Sequence, residues 1–298
     1  MAARFWRCVV GFVLAFAGAA ALLVGRRFCL SIAVTAGVGI AVLNAIPLAF
    51  VCGSFIGARA MERKRPAPFQ VRTAVRAMLS EAGRFSCAIL AMSVNPRERK
   101  VHLAIPGTEP RPILLIHGIL CNRAVWRPLE RRLRAAGYGP IVAVDLEPLF
   151  ADLDLHGHRL GAVARAMQRE SSGERVTIVA HSMGGLVARS LLRGIGSEVI
   201  DRLITIACPH HGSRFVRGFK WPATQQMSSG SVWLRELNSA QGRNSCVPIT
   251  SLYSLEDNLV TADSAHLPGA RTQVLRGVGH LGMLSSPPSL ECVMAALR

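Results

Sequence analysis

Residues 175–192 constrain the fold of this chain more than any other stretch. Residues 176–179 are all β-branched, which predicts a short strand, and the apolar residues that follow Ser182 recur at helical spacing. The residues two positions before and after the serine, Ala180 and Gly184, are both small. Because backbones crowd where a strand turns sharply into a helix, this pattern predicts a strand, a tight turn carrying Ser182, and a helix.

The region from residue 101 onward alternates between strand and helix patterns. The strand candidates are residues 101–104, 113–116, 141–144, 176–179, 203–206, 249–253 and 272–275. Helical segments are expected at residues 126–136, 160–170, 183–193 and 288–297. Such alternation predicts an α/β fold with a mostly parallel sheet and helices on both of its faces.

Polar residues of chemical interest follow several of these strands. The strand at 113–116 ends in His117 and Gly118, Asp257 comes just after the strand at 249–253, and His280 lies in a glycine-rich loop after the last strand. Asp145 ends the strand at 141–144 at the same edge of the sheet as His117, and ligands of parallel α/β sheets bind at that edge.

The motifs resemble a known family. The sequence Ala-His-Ser-Met-Gly-Gly around Ser182 is similar to the nucleophile elbow of small bacterial lipases and esterases of the α/β-hydrolase family, with alanine replacing the first glycine of Gly-x-Ser-x-Gly. The His-Gly pair at 117–118 and the Pro-His-His-Gly at 209–212 also match, and the likeness extends over about residues 110–290. The resemblance implies the α/β-hydrolase fold.

The resemblance also implies roles for individual residues. Ser182 would be the nucleophile, His280 the general base and Asp257 the acid that orients it, in the chain order of this fold. The backbone N–H groups of Ile119 and Met183 would form the oxyanion hole.

Other residues compete for these roles. Glu256 and Asp263 are the alternative acids, whereas His117 and His181 are expected to be structural. The implied activity is hydrolysis of carboxylic esters through an acyl-enzyme, with an ester or lipid as substrate. An acyltransferase or a thioesterase would use the same three residues, and a non-catalytic binding protein could retain the scaffold.

Two uncharged apolar stretches precede this region, at residues 8–25 and 28–58. A membrane-spanning helix needs about 20 mostly apolar residues, so the sequence predicts a transmembrane helical hairpin over residues 1–58. The alternative for the first stretch is a cleaved signal peptide, because Arg4 and Arg7 precede it. The second stretch would still attach the chain to a membrane.

The net charge of +17 is concentrated near these stretches. Arg59, Arg63, Lys64 and Arg65 directly follow the second one, which favours a catalytic domain on the cytoplasmic side of a bacterial inner membrane. Because the excess charge follows the membrane boundary and no nucleic-acid motif is found, a nucleic-acid partner is not expected.

Residues 59–100 are predicted to form a basic amphipathic linker and helix, with apolar positions between Phe69 and Met92. This helix would lie in the membrane interface or pack on the catalytic domain. The catalytic domain is then residues 101–298, with a lid-like insertion at about 209–246 whose alternative is a surface excursion with a short helix at 232–237.

No cofactor or metal is expected. The cysteines show no C-x-x-C spacing, and the mechanism implied by the resemblance needs neither. The acids and histidines at 152–158 could suggest metal ligands, but such a run is more often part of a solvated loop.

Overall fold

The computed structural model describes residues 2–61, 70–94, 112–244 and 247–298. Its strands are β1 Ile113–Ile116, β2 Ile141–Val144, β3 Val176–His181, β4 Ile200–Ile206, β5 Ile249–Ser254 and β6 Arg271–Leu275. Its helices are α1 Ala2–Arg27, α2 Ile32–Met61, α3 Val71–Ser93, α4 Arg127–Ala135, α5 Leu153–Glu170, α6 Met183–Val199, α7 Pro222–Met227, α8 Val232–Asn244, α9 Ala262–Ala265 and α10 Pro287–Ala296.

The six described strands form one parallel sheet in the order β2-β1-β3-β4-β5-β6. This arrangement confirms the predicted mostly parallel sheet. Six of the seven strand candidates are strands, and the seventh, at 101–104, lies outside the described residues. Strand β4 begins at Ile200 rather than at residue 203, because Ile200 pairs with Val176 across the ladder. A local pattern cannot show this pairing.

Hydrophobic cores cover both faces of the sheet. Leu114 and Ile116 of β1 pack into a cluster with residues of α5 and α6, whereas Ile113 and Leu115 pack into a second cluster with residues of α4 and α10. Each of these four side chains is at most 1% exposed. Burial of each stabilises the fold by about 1.5–3 kcal/mol. The predicted helices on both faces are therefore confirmed.

Helix α5 begins earlier than predicted. The interpretation of residues 152–158 as a solvated loop was wrong, because α5 begins at Leu153 and not at residue 160. The Asp152 side chain accepts hydrogen bonds from the N–H groups of Asp154 and Leu155, at 2.8 and 3.1 Å, and so caps the helix. Further along it, His156 is buried.

The insertion after β4 contains two helices, whereas the alternative interpretation as a surface excursion placed one short helix at 232–237. These are α7 and the longer α8, whose Leu234 and Leu237 reach the core cluster beside α6. Near the start of the insertion, Phe219 and Trp221 are 52% and 47% exposed and stack on each other with ring centroids 5.5 Å apart. The ring of Trp221 also stacks on that of Phe150, with ring centroids 4.4 Å apart.

Helices α1 and α2 are long and apolar enough to cross a membrane, as judged by length and composition. They run antiparallel, because Gly25 lies beside Thr35 and Gly39 beside Ala21. In their most apolar windows, 17% of the residues of α1 and 6% of those of α2 are buried. Large apolar side chains such as Phe12 remain exposed, so these helices differ from the core helices of the sheet domain.

Helix α3 packs on the sheet domain as well as on the hairpin. The Asn122 side chain donates a hydrogen bond to the Met92 carbonyl oxygen at 3.0 Å, and Arg84 donates to the Ser285 hydroxyl at 2.7 Å. On its other side, the ring of Phe85 stacks on that of Phe50 in α2 at 5.0 Å. Helix α3 therefore joins the hairpin to the loops at the end of the sheet.

Candidate active site

Ser182 lies in a strained turn between β3 and α6. Its φ is 52° and its ψ is −125°, a backbone conformation that residues other than glycine rarely adopt. Two hydrogen bonds hold the turn: the Ser182 N–H donates to the Ile206 carbonyl oxygen at 2.8 Å, and the Gly185 N–H donates to the Ser182 carbonyl oxygen at 2.9 Å. The neighbouring strand and helix therefore maintain the strain.

The two glycines after the turn are required by close packing. A Cβ atom at Gly184 would lie 2.5 Å from the carbonyl oxygen of Ile116, and one at Gly185 would lie 2.5 Å from the Cys208 sulfur. Both distances are far shorter than van der Waals contact. The helix that follows Ser182 thus approaches the end of β1 at Gly184, and the residues at the end of β4 at Gly185, because these positions have no side chain.

The end of β1 lies against Ser182. A Cβ atom on Gly118 would be 2.9 Å from the Ser182 Cβ atom, so Gly118 borders the serine directly. Among the described residues, neither the Ile119 N–H nor the Met183 N–H donates a hydrogen bond to a backbone acceptor. Met183 is the first residue of α6, where N–H groups lack partners within the helix.

Asp257 and His280 are in direct contact. The His280 Nδ1 atom lies 2.9 Å from Asp257 Oδ2 and 3.0 Å from Oδ1, and both residues are buried. The Asp257 carboxylate also accepts hydrogen bonds from the N–H groups of Leu259 and Val260, at 2.8 and 2.9 Å. Because Nδ1 faces the carboxylate, it carries the proton, and Nε2 is the nitrogen that can accept one.

The electrostatic surroundings favour the charged form of His280. Burial lowers the pKa of His280, but the charge and hydrogen bond of Asp257 and the charge of Glu81 raise it, and the net direction is upward. The neighbouring His181 behaves in the opposite way, because burial and the charge of His280 hold its pKa well below the usual value.

His181 connects the turn to the His280 loop. The two imidazole rings lie 4.6 Å apart, and His181 Nε2–H donates to the His280 carbonyl oxygen at 3.2 Å. Since Ser182 directly follows His181, the His280 loop lies against the serine turn. His117 forms hydrogen bonds with the backbone: its Nδ1–H donates to the Gly118 carbonyl oxygen at 2.8 Å, and Nε2 accepts from the Leu146 N–H at 3.0 Å. Its Nε2 atom also lies 3.9 Å from Asp145 Oδ1.

The two alternative acids, Glu256 and Asp263, are not bonded to the His280 ring. Glu256 accepts a hydrogen bond from the Gly277 N–H at 2.7 Å, and Asp263 is an exposed residue of α9. A carboxylate that the motifs did not suggest, Glu81 of α3, accepts hydrogen bonds from the N–H groups of Leu281 and Gly282. The available sequence signal was that Glu81 is the one acidic residue of an otherwise basic and apolar helix.

The described part of the chain contains no group of three histidine, cysteine, aspartate or glutamate residues that could hold a metal ion. In the 152–158 run, Asp152 caps α5, and Asp154 accepts hydrogen bonds from Arg193 at 2.7 Å and Trp233 at 2.8 Å. These acids therefore have structural partners.

Comparison with known proteins agrees with this architecture. Residues 113–245 match the sequence model of a family described as the alpha/beta hydrolase family. Lipase B from Pseudozyma antarctica is 25% identical over 222 residues, a match that covers 65% of this chain and 64% of the lipase. The chain thus spans slightly less than two thirds of the length of that relative.

Solved structures show the same fold. The mature lipase BlEst2 from Bacillus licheniformis superposes with a TM-score of 0.57 at 20% identity, covering 67% of this chain and 96% of that one. Aspergillus fumigatus lipase B also gives 0.57 at 20% identity, covering 66% of this chain and 55% of that one. The chain therefore has the α/β-hydrolase fold, and its resemblance is to α/β hydrolases of the lipase and esterase type.

Proposed function

We propose that this protein is a serine hydrolase that cleaves carboxylic esters, with Ser182, His280 and Asp257 as its catalytic triad. The observation that carries the proposal is the buried contact between His280 Nδ1 and Asp257 on a loop that lies against the strained Ser182 turn. Strained turns that expose a serine at the end of a parallel sheet are the nucleophile sites of this fold.

The proposed mechanism follows from these positions. His280 Nε2 takes the proton of the Ser182 hydroxyl as its oxygen attacks the ester carbonyl carbon, and Asp257 stabilises the imidazolium. The Ile119 and Met183 N–H groups, which have no backbone acceptor among the described residues, would bind the oxyanion. The imidazolium then protonates the departing alcohol, and water, activated by His280, hydrolyses the acyl-enzyme.

The proposal includes anchoring of the enzyme in a membrane by α1 and α2, with the catalytic domain in the cytoplasm. Length, apolar composition and low burial of the two helices support the anchor, and the positive charge that flanks them supports the orientation. The Arg214 side chain donates to the Met61 carbonyl oxygen at 2.9 Å, so the insertion contacts the end of α2. The exposed rings of Phe219 and Trp221 would then face a lipid ester at the membrane surface.

The first test is turnover by the full chain in detergent micelles, with p-nitrophenyl esters of increasing chain length. Ser182→Ala and His280→Ala should each lower kcat by about 10³-fold or more, because each removes a reacting group. The controls are the exposed residues Ser239 and His158, as Ser239→Ala and His158→Ala, which should retain wild-type rates. A fluorophosphonate should label Ser182 in the wild type. Labelling at another serine, or hydrolysis that survives Ser182→Ala, would refute the assignment.

A further inference from the structure

Each of the three N-terminal helices forms a hydrogen bond with a loop of the candidate active site. In α1, Trp6 Nε1–H donates to the Leu120 carbonyl oxygen, next to Ile119, at 2.6 Å. In α2, the Ser54 hydroxyl oxygen accepts from Asn258 Nδ2 at 2.7 Å, and Asn258 Oδ1 accepts from the His280 N–H at 2.9 Å. The helices ahead of the matched family region therefore contact the same loops that carry the candidate catalytic groups.

Glu81 of α3 makes the most direct of these connections. Its Oε1 accepts from the Leu281 N–H at 2.7 Å and its Oε2 accepts from the Gly282 N–H at 2.8 Å. On the other side of His280, a Cβ atom at Gly279 would lie 2.6 Å from the Glu81 carboxyl carbon. One side chain thus contacts the backbone on both sides of His280.

The charged groups around Glu81 come from three elements. His280 and Asp257 both act on it electrostatically from the catalytic loops, and Arg84, one turn along α3, packs its side chain near Gly282 and donates to Ser285. Glu81 is 1% exposed. A buried carboxylate is costly unless it is hydrogen-bonded, and here both oxygens accept from N–H groups.

We propose that Glu81 is a positioning residue for His280. Glu81 holds the backbone of the histidine loop and adds a second negative charge beside the imidazolium. This proposal rests on the proposed function of His280 as the general base. The two carboxylates contact different parts of the loop: Asp257 contacts the imidazole ring, whereas Glu81 contacts the backbone N–H groups of the two residues that follow His280. Because α3 also packs on α1 and α2, Glu81 links the candidate general base to the proposed membrane anchor.

The upward shift of the His280 pKa agrees with this role. Burial and the charge of Asp257 raise the pKa of Glu81, the Leu281 and Gly282 N–H groups and the charge of His280 lower it, and the net direction is upward. The two N–H donors are nevertheless placed to bind the ionised carboxylate. The ionised Glu81 in turn raises the pKa of His280. Removal of this charge should therefore lower the pKa of His280, and the acidic limb of activity should move to lower pH, since His280 must be neutral to accept the serine proton.

The test compares Glu81→Gln with the wild type, in the full chain in detergent micelles with p-nitrophenyl butyrate. We expect kcat to fall about tenfold or more with KM changed less than about twofold, because the variant disturbs the base and not the substrate contacts. The acidic limb of kcat/KM should shift down by about half a pH unit or more. Glu291→Gln, in an exposed position of α10, is the matched control and should leave both the rate and the pH profile unchanged.

Two results would overturn the proposal: wild-type kinetics in Glu81→Gln, or a lower plateau with an unmoved acidic limb, which would indicate a structural role alone. Glu81→Asp keeps the charge and withdraws it from the two N–H groups, so we expect a lower kcat with the acidic limb near the wild-type pH. If Glu81→Gln does not fold, Glu81→Asp decides, and wild-type kinetics there would refute the proposal. Failure of fluorophosphonate to label Ser182 in the wild type would instead refute the proposed function.

Discussion

At the scale of single residues, the assignment of the acid depends on a turn after β5. Three carboxylates follow this strand, but the structure brings only Asp257 among them into contact with His280 Nδ1, at 2.9 Å. A carboxylate in this position selects the tautomer of the imidazole and stabilises its charged form. The choice of Asp257 therefore leads to a prediction that separates it from its neighbours.

Asp257→Asn should lower kcat for a p-nitrophenyl ester by about 10²- to 10⁴-fold, because an amide in that position favours the wrong tautomer. Glu256→Gln and Asp263→Asn are the matched controls and should each change kcat less than about threefold. The measurement is steady-state kinetics on variants with wild-type thermal unfolding. If Asp263→Asn were as damaging as Asp257→Asn, the acid would have been assigned to the wrong residue.

Gly184 gives a prediction about stability rather than chemistry. A Cβ atom there would meet the carbonyl oxygens of Ile116 and His117 at 2.5 and 2.6 Å. Gly184→Ala must therefore displace the backbone of either α6 or β1, and overpacking of this kind costs about 1–3 kcal/mol in the free energy of unfolding.

The control lies in the same helix. Gly194 has no atom within 4 Å of its Cβ position, so Gly194→Ala should be neutral or stabilise by up to about 1 kcal/mol, in line with the helix propensities. Thermal unfolding of both variants, followed by circular dichroism, measures the difference. A Gly184→Ala variant as stable as the wild type would show that the turn has more room than the structure indicates.

At the scale of elements, the insertion between β4 and β5 contacts the end of α2 through Arg214 and presents exposed aromatic rings. Trp221→Ala removes the ring that stacks on both Phe219 and Phe150. We expect kcat/KM for a long-chain ester presented in mixed micelles to fall about tenfold, because an aromatic side chain contributes strongly to an apolar contact surface. The rate with a short soluble ester should fall less than about twofold.

Val232→Ala is the control for this prediction, since Val232 is an exposed apolar residue of the same insertion that lies at the start of α8. It should leave the rates with both substrates near the wild-type values. Equal losses on long and short esters in Trp221→Ala would indicate that the ring supports the fold of the insertion instead of contacting the lipid.

At the scale of the whole molecule, the three N-terminal helices and the sheet domain share an interface at the active-site end. Trp6, Ser54 and Glu81 reach that end from three different helices. If α1 and α2 span a membrane, the candidate site is then held close to the bilayer surface. This arrangement suits a substrate that partitions into lipid. The side of the membrane that the domain occupies decides which bilayer surface the site would face.

A C-terminal reporter fusion tests the orientation. We expect signal from a reporter that is active only in the cytoplasm, because positive residues flank both outer ends of the proposed hairpin. Replacement of Arg59, Arg63, Lys64 and Arg65 by glutamine should weaken this bias. Activity from a reporter that works only outside the cytoplasm would reverse the proposed topology.

Local patterns in the sequence predicted most strands and helices of the sheet domain. The alternation of strand and helix and the small residues around Ser182 depend on near neighbours in the chain. The order of the serine, acid and histidine was instead implied by the resemblance to the α/β-hydrolase family. The errors in predicted element boundaries have physical causes in single contacts. An example is the Asp152 cap, with which α5 begins seven residues before the predicted position. The sequence alone thus predicted the parallel sheet, which the structure confirms, whereas the catalytic roles of Ser182, Asp257 and His280 stay a prediction.

Only the tertiary structure decided how the N-terminal helices meet that end. The hydrogen bond between Glu81 and Leu281 joins residues 200 positions apart, and that between Ser54 and Asn258 joins residues 204 apart. Neither contact has a periodic or local signature, and Glu81 stood out only as one acid in a basic helix. Side chains that hold a loop through its backbone N–H groups can come from any element that packs there, so their identity emerges only when the chain is folded.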